Sequence, residues 1–273
     1  MALVNDPDVK LLIMIVLAAL LAGALWYFWD DIGPQLERPV VTEPAPVVDE
    51  PPVRKGPIHP LDPLSSSVSR SDKLVPLPPL DESDSYFSLA LVDIFGSGLR
   101  NLLVNEGLID KFVATVDNLP RSYVAEKARP VGRLASNFQI DIADDDEAIT
   151  ISANNYDRYD TLVSLVTNAD LGLVSETYRR FYPLFQESYV RLGYPNAYFN
   201  DRVVEVIDHL LETPQPSGPI YLVRPNVLYE FADPDLEALS SGQKLMLRMG
   251  TEHATKVKRV LGNLRELITQ PEP

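Results

Sequence analysis

Carboxylates are the most numerous groups in this chain that could do chemistry, and their densest run is Asp144-Asp145-Asp146-Glu147, with Asp141 close by. Clustered carboxylates suit a hard cation such as calcium. The run lacks both the Asp-x-Asp-x-Asp-Gly register and the distal glutamate of a calcium loop, and a solvated hairpin tip accounts for it better. His209 and His253 are the histidines of the region beyond residue 76, and either could serve as a base or ligand near neutral pH. His253 falls within the apolar stripe of the last helical stretch and His209 lies beside Asp208 in another amphipathic stretch. Both positions read as packed side chains with a hydrogen bond, and His59, in a proline-rich stretch, reads as solvent-exposed. Gly96-Ser97-Gly98 lacks the Gly-x-Ser-x-Gly frame of a nucleophile elbow and reads as a cap and turn. There is no phosphate loop, dinucleotide fingerprint or HExxH anywhere. No catalytic residue, metal ligand or cofactor site is singled out, so the reading leans away from an enzyme.

Two surfaces could still bind. Tyr156, Tyr159, Tyr178, Tyr182, Tyr189, Tyr194 and Tyr198 could line a groove for glycan or peptide, although aromatics at helical spacing are more often core. Lys244, Arg248, Lys258, Arg259 and Arg265 share one side of the last helical stretch, opposite Leu245, Met249, Val257, Val260, Leu264 and Leu267. Residues 240–273 hold 6 basic and 3 acidic side chains, whereas residues 77–239 hold 12 and 26. The stripe is a solvated face beside an acidic neighbour or a docking surface for an acidic partner.

The elements that would position these groups begin with an apolar run, Leu11–Trp29, of nineteen residues without a charge. As a helix it is about 28 Å long, close to the ~30 Å of a bilayer core. Leu11, Leu17 and Leu21 belong to its apolar body, and Trp26 to Trp29 supply aromatic rings at headgroup level. Lys10 before it and Asp30-Asp31 after it favour a cytoplasmic N-terminus and a C-terminal domain on the far side. Ala22-Gly23-Ala24 also matches a signal-peptidase site; the apolar run continuing past it favours a retained anchor. Residues 30–76 show no apolar period and contain ten prolines, which remove amide donors and favour extended chain, so they read as a disordered tether. The net charge of −15 disfavours nucleic acid as a partner, and the absence of cysteine excludes disulfides and thiolate chemistry.

From residue 77 to about 270 the pattern is that of one helix-dominated α+β domain. Ser83 or Asp84 caps a helix through Phe87, Leu91 and Ile94 that Gly96 stops; Ser97 starts a short one, and Leu108 to Leu119 form a third closed by Pro120. Phe138, Ile140 and Ile142, then Ile149 and Ile151, alternate around the acidic turn as one hairpin. Ile220–Val223 and Val227–Phe231 form a second. Tyr156 to Val166 and Val174 to Leu192 are helical, the latter with a kink expected at Pro183. Asn200 is expected to cap the next helix, stapled by Phe199 and Val204 and ended by Thr213-Pro214. Ser240 with Gln243 makes a capping box before the last stretch, which Gly250 breaks or bends.

Several motifs carry a resemblance. They are Leu80-Asp81-Glu82-Ser83-Asp84, Val116-Asp117-Asn118-Leu119-Pro120-Arg121, Asn155-Tyr156-Asp157-Arg158-Tyr159, Leu192-Gly193-Tyr194-Pro195, Phe231-Ala232-Asp233-Pro234, and Gly242-Gln243-Lys244 with Arg248-Met249-Gly250. In this order they resemble the bacterial membrane-anchored family known as domain of unknown function 3014, which has no agreed activity, cofactor or site. The resemblance implies a Gram-negative host and an inner-membrane location; with the orientation that Lys10 and Asp30-Asp31 favour, the domain is expected in the periplasm. The expected function is therefore a single-pass, membrane-tethered envelope module that binds or scaffolds a periplasmic protein or cell-wall partner. A wall hydrolase with paired carboxylates is the alternative. Oligomeric state is left open.

Overall fold

The computed structural model describes residues 56–61, 76–100, 103–104, 106–130, 137–143, 148–225 and 228–270. The apolar run Leu11–Trp29, most of the proline-rich stretch and the acidic turn 144–147 lie outside them. Among the described residues no helix is long and apolar enough to cross a membrane.

A 3-10 turn at Leu80–Glu82 leads into α1 (Asp84–Phe95), which Gly96 ends at φ 79° and ψ 170°, and α2 (Ser97–Arg100) follows. Helix α3 (Leu108–Asn118) is next. Asp84 does not serve its own helix; its carboxylate accepts from the Gly107 and Leu108 amides (2.7 and 2.8 Å) and so caps α3. Ser83 turns its hydroxyl back to the Leu80 carbonyl rather than capping α1.

The alternating segments are strands β1 (Ile140–Ile142), β2 (Ile149–Ile151), β3 (Tyr221–Val223) and β4 (Glu230–Phe231). The two expected hairpins are halves of one antiparallel sheet of order β1-β2-β3-β4, because β2 also pairs with β3, with Ile149 opposite Leu222. Period-two patterning identifies a strand, but it does not reveal which partner lies across the sheet.

Between β2 and β3 run a 3-10 segment (Ala153–Tyr159), α4 (Asp160–Thr167), α5 (Leu171–Arg191) and α6 (Phe199–Leu211). Helix α5 continues through Pro183 as one element. The cap of α6 differs from expectation: Tyr198 is the N-cap residue, and Gln186 Oε1 on α5 accepts the Phe199 amide at 2.8 Å. Asn200 is thereby inside the helix, and Phe199 packs against Phe112, Phe185 and Tyr189 instead of forming a staple. After β4 come α7 (Pro234–Glu237), α8 (Ser241–Arg248) and α9 (Thr251–Thr269). The Ser240–Gln243 capping box is present, and Gly250, at φ 84°, separates α8 from α9.

Helices α1, α3, α4, α5, α6 and α9 enclose the larger core, centred on Phe87, Phe112, Tyr178, Phe185, Phe199 and Leu264. A smaller core of Ile151, Ile220, Leu222, Phe231 and Leu247 lies under the sheet. Leu245 and Met246 belong to the first core and Leu247 to the second, so α8 joins them.

Residues 56–61 sit on the domain although they belong to the stretch read as tether. Leu61 is buried in the larger core, and His59, expected in solvent, is half-buried.

Candidate functional site

Residues of five of the six motifs quoted above meet at or beside the two ends of α8, while Leu80–Asp84 packs elsewhere, at the start of α3. At its N-terminal end, Asp117 is 3% exposed near the end of α3. Its Oδ1 accepts from Arg202 Nε of α6 (3.0 Å), and its Oδ2 accepts from Arg121 Nη2 (2.7 Å) and from the Tyr194 hydroxyl (3.1 Å). Arg202 also donates to the Asp117 carbonyl and to Glu205. Burial alone would lower the Arg202 pKa, but the Glu205 bond and the Asp117 charge raise it overall. The Tyr194 ring stacks on Tyr189 with centroids 4.6 Å apart, and burial, followed by the Asp117 charge, pushes the Tyr189 hydroxyl well up.

The turn after α3 then holds α8. The Ser241 amide donates to the Arg121 carbonyl (2.7 Å) and the Gly242 amide to the Leu119 carbonyl (3.0 Å). A Cβ on Gly242 would lie 2.7 Å from Leu210 Cδ2 and 3.1 Å from the Leu119 oxygen, so any side chain here would displace Leu210 and press on the turn after α3.

At the C-terminal end of α8, Asn155 is fully buried. Its Nδ2 donates to the Arg248 carbonyl, while its Oδ1 accepts from Gln139 N and Arg158 Nη1. Gly250 abuts the Tyr156 ring. Arg248 is 4% exposed, with its guanidinium carbon 5.2 Å from the centre of the Phe231 ring. Glu237 binds the Phe231 amide and pairs with Lys244.

The five basic residues of the expected docking stripe are consequently not brought together as one open face. Arg248 is buried and Lys244 is spent on Glu237. Lys258 donates to the Thr213 carbonyl, with its pKa lowered by burial, and Arg265 forks onto Asp208. Arg259 is exposed. The reason is geometric: eight residues of α8 are wedged between two cores, so no side of that helix is left for solvent. Of the tyrosines, Tyr159, Tyr178, Tyr182 and Tyr189 are buried in the core, while Tyr156, Tyr194 and Tyr198 are half-buried. His253 bonds the Met249 carbonyl and Asp160, and His209 bonds Ser240 Oγ. Among the described residues no three His, Asp or Glu side chains come together to hold a metal ion.

Arg121, which sequence reasoning left out of the candidate residues, is the exposed member of the Asp117 corner, its side chain 54% accessible. Its Nη2 makes both protein contacts, leaving Nε and Nη1 without a protein acceptor among the described residues. The signal available was the i,i+4 spacing of Asp117 and Arg121 inside a quoted motif. A guanidinium oriented from behind by a buried carboxylate and a hydroxyl is arranged to receive a carboxylate or phosphate through its outer edge.

Neither a search of curated proteins nor one of solved structures returns a match. A family model described as "Protein of unknown function (DUF3014)" matches residues 108–265, from the first residue of α3 into α9. The Asp117 corner and both joints of α8 lie within that span, and the chain belongs to this family.

Proposed function

We propose that the chain is a membrane-tethered module of the bacterial envelope that works by binding rather than by catalysis. The helix Leu11–Trp29 holds it in the inner membrane with its N-terminus in the cytoplasm. The domain stands in the periplasm and receives an acidic protein or cell-wall peptide at the Arg121 corner. The observation that carries the binding reading is the guanidinium of Arg121, fixed by Asp117 and Tyr194 while half of its side chain remains open. Holding the fork in place beforehand lowers the ordering cost of binding. Hydrolysis of wall glycan would need two carboxylates facing one another across a cleft. Asp117, the carboxylate most withdrawn from solvent among the described residues, faces two guanidiniums and a tyrosine hydroxyl.

In-cell crosslinking with the anchor intact tests the reading, using Arg121→Gln and, on the α9 surface, Arg259→Gln. The glutamine side chain keeps a donor for Asp117 but loses the charged fork, so partner recovery should fall about tenfold while the Arg259 variant stays near wild type. Loss confined to the Arg259 variant would move the docking surface to α9. Equal recovery from all three chains, or cleavage of wall fragments by the purified protein, would overturn the proposal. A periplasm-dependent reporter fused after Gln270 should be active if the orientation is right, and silence would reverse it.

A further inference from the structure

The segment Gly56–Leu61 is held by a small set of specific contacts at the start of α6. The Asp201 carboxylate accepts two consecutive main-chain amides, Ile58 N on Oδ2 (2.9 Å) and His59 N on Oδ1 (2.7 Å). The neighbouring Asn200 donates through Nδ2 to the His59 carbonyl (2.9 Å) and to the Ile268 carbonyl near the end of α9 (3.1 Å). Leu61 enters the larger core. Recognition is therefore of main chain at positions 58 and 59 and of one side chain at 61; the Ile58 side chain remains exposed.

Asn200 is fully buried, yet its Oδ1 has no hydrogen-bond partner among the described residues. A buried amide oxygen without a donor costs free energy that a helix interior would not ordinarily retain. Its nitrogen joins α9 to the bound segment. Pro57 and Pro60 bracket the two recognised amides. They fix φ on either side of the bend at Ile58 and His59 and offer no N–H of their own, so the segment loses less entropy on docking, and the bend turns both donors to the same carboxylate.

We propose that Asn200 and Asp201 form a peptide-binding seat for a bent Pro-x-x-Pro-Leu segment whose two central residues must both keep an N–H. The chain's own Pro57–Leu61 is the occupant, and it is a replaceable one. Its contacts involve one short segment connected to the rest of the domain through residues 62–75, so it competes with a free peptide as a tethered ligand at high local concentration. The affinity seen by a peptide in trans is the intrinsic affinity reduced by the fraction of seats standing open. The proposal is independent of the Arg121 reading, since the two sites share no residue.

The test uses the full-length chain and a fluorescein-labelled peptide spanning Lys55–Asp62, followed by anisotropy. Replacing residues 57–64 by a Gly-Ser sequence vacates the seat and should tighten peptide binding at least tenfold relative to the unaltered chain. Adding Asp201→Asn to the vacated chain should return binding to the wild-type level or below, because the amide presents one acceptor oxygen where the carboxylate presents two, one to each N–H. Amide exchange on the otherwise unaltered chain is the second readout. Ile58 and His59 should exchange at least tenfold faster in Asp201→Asn, while α5 amides stay equally protected and report an intact fold. Equal peptide binding by the unaltered and vacated chains, binding indifferent to Asp201→Asn, or unchanged exchange at Ile58 and His59 would each overturn the seat.

Discussion

Gly250 and Gly96 offer a matched pair for measuring how tightly α8 is held. Gly250 has φ 84° and ψ 157°, and Gly96 has φ 79° and ψ 170°. Both lie in a region that side chains avoid, so alanine at either should cost about 1–3 kcal/mol in backbone strain. Their surroundings differ. A Cβ at Gly96 meets nothing within 4 Å, whereas at Gly250 it would lie 2.9 Å from both Cγ and Cδ1 of Tyr156. Ordinary carbon contacts begin near ~3.5 Å, so the ring must retreat by roughly half an ångström or more. Its neighbour Asn155 is fully buried and bonded to the Arg248 carbonyl, which gives the ring's backbone little freedom to follow. Overpacking of this kind adds about 1–3 kcal/mol. Gly250→Ala should therefore destabilise by more than Gly96→Ala, by about that second amount. Urea unfolding followed by far-ultraviolet circular dichroism gives both values on the full-length chain. Tyr156→Ala should remove much of the excess in a double-mutant cycle, with a coupling of about 1–2 kcal/mol. Equal losses at the two glycines, or strict additivity with Tyr156→Ala, would show that Tyr156 does not pack on the α8–α9 junction as described.

Two further outcomes follow from charge and burial. Asp117→Ala takes from Arg202, 16% exposed, its buried carboxylate and leaves it only the solvent-exposed Glu205, and should cost about 3 kcal/mol by urea unfolding. Asp208→Ala breaks a pair exposed on both sides (37% and 43%) and should cost less than ~1 kcal/mol; a reversed order would contradict the burial. At alkaline pH, burial holds the hydroxyls of Tyr178 and Tyr182 above the usual 10, Tyr182 at about 12. The folded state then binds more protons than the unfolded one between those values, so this stability is complete below pH 10 and lost as pH rises toward about 12. The thermal midpoint should fall over that window and fall less in Tyr182→Phe; identical profiles would refute the assignment.

How much was legible follows from the range over which each cause acts. Gly96, Pro120, the Ser240–Gln243 box and the strand alternations act within a few residues, and the elements they mark are present. Asn200 shows where local reasoning stops. Asparagine before an amphipathic run suits an N-cap, but Gln186 takes the Phe199 amide and the helix begins two residues earlier. That partner lies 13 residues away, and no spacing rule reaches it. The basic stripe is divided among separate contacts for a related reason. A helical wheel reports which residues share a side, and what covers that side depends on distant chain, here Phe231 over Arg248 and Glu237 beside Lys244. The Pro57–Leu61 seat was hidden because a proline-rich segment with no apolar period offers one leucine to the core and otherwise binds through its main chain.

Helix α8 explains why motifs so far apart in the chain belong to one physical unit. Its first residues are gripped by the turn that carries Leu119 and Arg121, and its last carbonyl by Asn155. Between those grips it supplies side chains to both cores. Asp117, Leu119, Arg121, Asn155, Gly242 and Arg248 of the quoted motifs are thus engaged in joining a helical layer to a sheet. Arg121 takes part in this joint and also projects beyond it, and the two roles use different atoms. Its carbonyl accepts the Ser241 amide whatever side chain the residue carries, while its guanidinium stands on the surface. Substitution at 121 can therefore remove recognition and leave the α8 joint intact. Substitution at Asp117 removes the support of the guanidinium and the tie between α3 and α6 together. A variant at 121 that kept its fold and lost its partner, beside a variant at 117 that lost both, would separate what the family's motifs build from what this surface does.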